Sequence, residues 1–133
     1  MPTPDAPTLL YVEDDRLLSE VGIIAFEDAG FAVAFASTGA EAKSLIDERG
    51  LEFRALITDI DLGGSPDGWE VAKHAREHFP EIPIIYVTGG NAHEWPHLGV
   101  PGSSLVLKPY AVTQLVVAVS NATIGSAGNT ETA

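Results

Sequence analysis

Short runs of purely apolar residues, separated by segments of helical periodicity, leave this chain few folds to choose from. The runs are Leu9-Leu10-Tyr11-Val12, Phe31 to Ala36, Ala55-Leu56-Ile57, Ile84-Ile85-Tyr86-Val87 and Leu105-Val106-Leu107. Each is long enough for a strand and too short for a buried helix. Between them, Leu17, Leu18, Val21, Ile24 and Ala25 recur at helical spacing up to the stop at Gly30. Thr38 with Glu41 fits a capping box and opens a helix through Ala42, Leu45 and Ile46 to Gly50. Asp67 with Glu70 opens another, with Val71, Ala72 and Ala75 inward, and Val112, Leu115, Val116 and Val119 form a closing helix. Strands that are apolar on both faces and alternate with helices predict a doubly wound parallel sheet. In such a sheet the ligand site lies at the carboxyl ends of the strands.

Those ends carry the chemistry. Glu13-Asp14-Asp15 follow the first run; Asp59 ends the third, with Asp61 two residues on; Thr88 ends the fourth; Lys108-Pro109 follow the fifth. With strand order 2-1-3-4-5 these residues share one edge. Clustered carboxylates repel unless a cation sits among them, and hard oxygen ligands suit Mg²⁺. A carboxylate beside Mg²⁺ is able to attack phosphorus and form an aspartyl phosphate. Phosphoryl transfer then needs positioning and neutralisation of the equatorial oxygens, for which Mg²⁺, the Lys108 ammonium and the Thr88 hydroxyl are suited.

Charge and composition exclude other classes. Seven Lys and Arg stand against 19 Asp and Glu, a formal net charge of -12. Such a surface repels duplex nucleic acid and anionic lipid. There is no cysteine, hence no disulfide framework, thiolate zinc site or cysteine nucleophile. No apolar run approaches the ~20 residues of a membrane span, and the start lacks a signal-peptide pattern, so a cytoplasmic protein is expected. Every acidic residue but Glu131 precedes Trp95, and between Trp95 and Thr130 Lys108 is the one formal charge. Residues 1–7 read as a flexible leader, 8–122 as the domain and 123–133 as a flexible tail.

The set Glu13-Asp14-Asp15, Asp59, Thr88 and Lys108-Pro109, with Asp67-Gly68 after the acceptor, resembles the receiver domains of two-component response regulators. The resemblance covers residues 8 to 121. It implies the flavodoxin-like, CheY-like receiver fold, with Asp59 as phosphoacceptor and Asp14 and Asp15 as the Mg²⁺-binding acids. Asp15 would ligate directly, Asp14 mostly through water, and the backbone carbonyl of Asp61 would add a ligand. Lys108 would hold the phosphoryl group, Thr88 would move to meet it, and the Lys108-Pro109 peptide would be cis. The implied phosphodonor is a histidine kinase or histidine phosphotransfer protein. Output would pass through contact with a downstream protein target, or by phosphate relay, rather than through a domain on this chain.

The sequence departs from the family on the output side. Leu105 stands where the family carries an aromatic switch residue, and Tyr110 is the nearest aromatic. The segment from Gly89 to Gly102 holds Pro96, Pro101 and several glycines, which predicts a shortened or missing fourth helix. Together with Val87-Thr88-Gly89, these changes resemble an atypical alphaproteobacterial-style receiver subgroup. They point to signalling by reordering of a Gly-rich loop in which Trp95 could form a partner-binding tip. The uncharged final helix offers an apolar surface for a partner or a homodimer.

Three competing readings are weaker. His93-Glu94-Trp95-Pro96-His97 spells the zinc-protease signature, but that motif requires a continuous helix and Pro96 opposes one. His74 and His78, four apart, read as surface helix residues. Asp59-Ile60-Asp61 resembles the core of haloacid-dehalogenase-type phosphatases, but it follows the third run rather than the first and no residues remain for a cap. A non-phosphorylated receiver-like binding module would not need the full acidic, hydroxyl and lysine set.

Overall fold

A computed structural model describes residues 4–128, and the side chains up to 124. The chain alternates β1 (Thr8–Val12), α1 (Arg16–Asp28), β2 (Ala32–Ala36), α2 (Gly39–Arg49), β3 (Phe53–Asp59), α3 (Gly68–His78), β4 (Ile84–Thr88), α4 (Trp95–Leu98), β5 (Ser104–Leu107) and α5 (Val112–Gly128). The five strands are parallel, in the order β2-β1-β3-β4-β5. The doubly wound arrangement expected from the apolar runs is therefore present.

The strand periodicity of two sends alternate side chains to opposite faces. Leu10 and Val12 join Leu56, Ile84 and Tyr86 in the layer covered by α2 and α3. Leu9 and Tyr11 join Ile57, Ile85 and Val87 in the layer covered by α1 and α5, through Phe26, Leu115 and Val119. Each large side chain buried this way contributes roughly 1.5–3 kcal/mol.

α1 does not turn its apolar stripe inward. Leu17, Val21 and Ile24 are 72%, 48% and 59% exposed, while Ser19, Gly22 and Phe26 are buried. The reason lies in Tyr11, whose ring meets Phe26 edge-on at 5.3 Å and leaves no room beside Gly22. A Cβ there would stand 2.6 Å from the Tyr11 hydroxyl. Close approach of helix and sheet selects small residues for the inner face, and the branched residues are left outside.

The fourth helix is shortened, as Pro96 and the glycines predict. A single 3₁₀ turn, Ala92–Glu94, leads into α4, with Pro96 in its first turn. α5, by contrast, runs on to Gly128, beyond the Ala122 at which the sequence pattern ends it. No proline interrupts this stretch, and the Thr123 hydroxyl donates back to the carbonyls of Val119 and Ser120 at 3.1 and 3.0 Å, a bond compatible with continued helix. Residues 1–3 of the expected leader and 129–133 of the expected tail lie outside the described residues.

Candidate functional site

Parallel strands bring their carboxyl ends to one edge, and the pairing continues a little beyond the strands there. The Glu13 N–H donates to Ala36 (3.1 Å), and the Lys108 N–H donates to Thr88 (2.8 Å). A cavity of about 580 Å³ opens at this edge, lined by Asp14, Asp15, Asp59, Asp61, Thr88, Lys108 and residues 89–91. Asp59 is 6% exposed and Thr88 1%.

Lys108 reaches into this cavity. Its Nζ lies 2.8 Å from Asp59 Oδ2 and 3.6 Å from Glu13 Oε1. Burial works to lower the lysine, but the hydrogen bond and charge of Asp59, with the charge of Glu13, outweigh it and hold the ammonium form. Glu13 is 1% exposed. Burial first, and then the neighbouring Asp59 charge, push its carboxyl up to about 7, against the opposing pull of the Asp15 N–H and Lys108.

The acidic set at this edge includes one residue beyond the expected ones, Glu13. The carboxylates of Glu13, Asp14 and Asp59 offer oxygens within 4.8 Å of one another. Asp15 lines the rim, but its side chain caps α1 by accepting the Leu18 N–H at 3.0 Å. Its own N–H donates to Glu13 Oε2 at 3.1 Å. The cap uses one oxygen, Oδ1, and leaves the other carboxylate oxygen of Asp15 to the cavity it lines. The residue that sequence reasoning left without a role is Glu13. Its signal was available: β1 ends at Val12, so the next side chain points down at the sheet edge. Asp61 sits on the rim with its carboxylate accepting from the Gly63 N–H at 3.1 Å.

Asp67-Gly68 packs the start of α3 against the end of β3. Asp67 and Glu70 form a complete capping box for α3, and the Gly68 N–H donates to Ile60 at 2.8 Å. A Cβ on Gly68 would lie 2.2 Å from the Asp59 carbonyl oxygen, so only glycine allows the helix start to lie against Asp59. The Lys108-Pro109 peptide is cis.

The Thr88 hydroxyl oxygen accepts from the N–H groups of Gly90 (3.2 Å) and Asn91 (2.9 Å). The pocket hydroxyl is therefore the anchor of the loop that follows β4. Farther along, the loop is fastened by residues that sequence reasoning missed. The hydroxyl of buried Tyr86 accepts from the Val100 N–H at 3.1 Å, and Arg76 donates to the carbonyls of Pro101 and Ile82. Tyr86 stands in register with Leu105 on the next strand and packs on Trp69 with ring centroids 4.8 Å apart.

Trp95 is part-buried against the same core. Its indole N–H donates to Ser103 Oγ at 3.0 Å, so it braces its own loop rather than projecting as a tip. Tyr110 is half-buried against the α1–α5 core layer, on the opposite face of the sheet from Leu105. It lines a separate cavity with Leu18, Lys108 and Pro109. His93 and His97 fall in the 3₁₀ turn and in α4 respectively, and they form no metal-capable group among the described residues.

The pattern of the Response regulator receiver domain family matches residues 9–120. The chain belongs to this family. The receiver is 34% identical over 110 residues to the response regulator receiver protein CpdR of Brucella abortus, covering 81% of this chain and 89% of that one. It is 35% identical over 108 residues to a response regulator receiver protein of Anaeromyxobacter, covering 81% of this chain but spanning only 42% of the relative. Among solved structures, a response regulator receiver protein from Sinorhizobium medicae superposes with a TM-score of 0.88 at 37% identity, covering 93% of this receiver and 99% of that chain. Among the described residues no helix is long and apolar enough to cross a membrane.

Proposed function

We propose that this receiver accepts a phosphoryl group on Asp59 from the phosphohistidine of a histidine kinase or phosphotransfer protein, and that acceptance changes its contacts with a downstream protein. The observation that carries the reading is the 2.8 Å contact of Lys108 Nζ with Asp59 Oδ2 inside an acidic, largely buried pocket. The lysine holds one oxygen of the acceptor and leaves Oδ1 free to attack. The new bond joins Oδ1 to phosphorus, the P–N bond to the donor imidazole breaks, and its electron pair returns to the ring nitrogen. Lys108 is then placed to neutralise a phosphoryl oxygen, and the Thr88 hydroxyl, whose oxygen already accepts two amides, has its hydrogen to donate to another.

The pocket suits a hard divalent cation. Three carboxylates within 4.8 Å and a buried Glu13 held up near neutrality describe a site short of positive charge. Asp14, Asp15, Asp59 and the backbone carbonyl of Asp61, all at the cavity, would hold Mg²⁺, with Glu13 buried beside them. When bound, the ion would supply charge neutralisation to the transferring phosphoryl oxygens.

The donor needs a docking face beside this pocket, and the outward stripe of α1 supplies one. Leu17, Leu18, Val21 and Ile24 are exposed, and Leu18 adjoins Lys108 and Tyr110. Apolar surface of this kind fits a helical partner. On the output side, the loop after β4 is tied to Thr88 directly, so movement of the hydroxyl toward a phosphoryl group draws Gly90 and Asn91 with it. The uncharged α5 leaves Val117 and Ile124 exposed, a second apolar face suited to self-association.

The test is intact-protein mass after incubation with Mg²⁺ and a small phosphodonor, on the wild type and Asp59→Asn. One added phosphate, absent from the variant and without Mg²⁺, is the expected result. Addition that persists in Asp59→Asn defeats the assignment of the acceptor. Structures with and without a phosphoryl mimic that are identical over residues 89–102 defeat the loop mechanism.

A further inference from the structure

A second group of metal-capable side chains lies outside the phosphoryl pocket. Asp47 on α2 and His74 and His78 on α3 each offer a ligand atom, all within 4.8 Å of one another. α3 begins at the acceptor strand end with Gly68, whereas this group lies in the second half of α3 and near the end of α2, toward the other edge of the domain. Nothing in phosphoryl transfer uses it.

We propose that Asp47, His74 and His78 form a surface site for a zinc-class divalent ion. The first argument is spacing. Residues four apart on a helix share a face, and the two imidazole rings lie with centroids 4.5 Å apart. The second is tautomer. His78 Nδ1–H donates to the His74 carbonyl at 2.9 Å, which leaves the lone pair of Nε2 as the free donor atom. Metal-binding histidines are commonly oriented in this way, by a hydrogen bond from the other ring nitrogen to a carbonyl or carboxylate.

The third argument is the carboxylate. Asp47 Oδ1 lies 2.7 Å from His74 Nε2, so the metal would take the place of the proton now between them. A neutral imidazole coordinates through Nε2 and keeps its proton on Nδ1. The side chain of Asp47 is 57% exposed and His78 is exposed, so both are free to close on ligand distances of ~2.0–2.2 Å. Two imidazoles and one carboxylate suit Zn²⁺ and its transition-metal neighbours, whereas Mg²⁺ prefers oxygen ligands throughout. Three protein ligands leave one tetrahedral position to water. An ion bound here ties α2 to α3 across the surface of the core layer they cover.

The experiment is calorimetric titration of Zn²⁺ into the untagged full chain with Mg²⁺ in large excess, so that the acidic pocket is filled. One saturable Zn²⁺ site is expected. His78→Gln and His74→Gln should each weaken it at least about tenfold, since loss even of an outer-shell partner costs about that much. His93→Ala with His97→Ala, in the loop, should leave it unchanged. Circular dichroism of each variant should match the wild type, which checks that the fold is kept. In ring-proton NMR, the signals of His74 and His78 should shift with Zn²⁺ while those of His93 and His97 stay in place. Absence of binding overturns the proposal, as does binding that survives His78→Gln or disappears with the loop double variant.

Discussion

Lys108 Nζ lies 2.8 Å from Asp59 Oδ2 and 3.6 Å from Glu13 Oε1, so one ammonium is shared by two buried acids, one ending β3 and the other just after β1. In the proposed mechanism the lysine occupies the place of a cation as well as assisting transfer. Lys108→Ala should raise the affinity of the pocket for Mg²⁺ severalfold while lowering the rate of phosphoryl acceptance by roughly 10²-fold, the scale for losing one charge-stabilising group. Parallel measurement of Mg²⁺ binding and acceptance rate checks both directions. A loss of both would mean that the lysine only shapes the pocket.

Stability tells the neighbouring acids apart. Asp14→Asn should weaken Mg²⁺ binding at least tenfold with little effect on stability. Asp15→Ala removes both the N-cap of α1 and a proposed ligand; it should cost about 1 kcal/mol, seen as a lowered melting temperature, together with at least a tenfold loss of Mg²⁺ affinity. Affinity kept in Asp15→Ala would remove Asp15 from the ligands.

Glu13 makes the metal-free protein sensitive to pH. Its folded-state pKa, about 7, is raised above the ordinary carboxyl value of 4.5. The folded protein therefore binds the proton more tightly than the unfolded chain. Stability from this group is fully present below pH 4.5 and is lost as the pH rises through about 7. Denaturant unfolding in chelator should show the wild type losing stability across this window relative to Glu13→Gln. Parallel curves would exclude Glu13 as the titrating group.

Tyr86 ties the loop to the sheet by one hydroxyl. Tyr86→Phe leaves the Val100 N–H without its acceptor, at a cost of about 1–3 kcal/mol if water does not replace it. Hydrogen exchange should accelerate at Val100 and its neighbours and remain unchanged in β1 and β3.

Thr88→Val keeps the shape of the side chain but removes the oxygen that holds Gly90 and Asn91. Exchange of these two amides should quicken by about fivefold or more, for bonds worth about 1 kcal/mol each. Phosphorylation of the variant should no longer change exchange in residues 89–102. A loop that still responds would have to be coupled through another residue.

Much of this was legible in the sequence. The apolar runs and the helices between them specify a doubly wound parallel sheet, while its strand order came with the family resemblance and is present in the structure. Asp59, Thr88 and Lys108 were each placed by a strand end. Glu13 was harder to place, since in Glu13-Asp14-Asp15 three carboxylates follow one strand and the sequence does not say which of them is buried; its 1% exposure does. The stripe on α1 has helical period, but period does not say which face is inward. The answer came from the bulk of Tyr11 opposite Gly22. The Tyr86–Val100 and Arg76–Pro101 contacts join residues far apart in sequence and left no local pattern.

The anchoring of the loop on the Thr88 hydroxyl also bears on time. An aromatic switch adds a second moving side chain between pocket and output face. Leu105 is not aromatic, and in the mechanism proposed above the loop hangs on the same Thr88 oxygen that would meet the phosphoryl group. A receiver wired in this way has one moving part fewer: its output should end when the acyl phosphate is hydrolysed, with no second side chain left to relax.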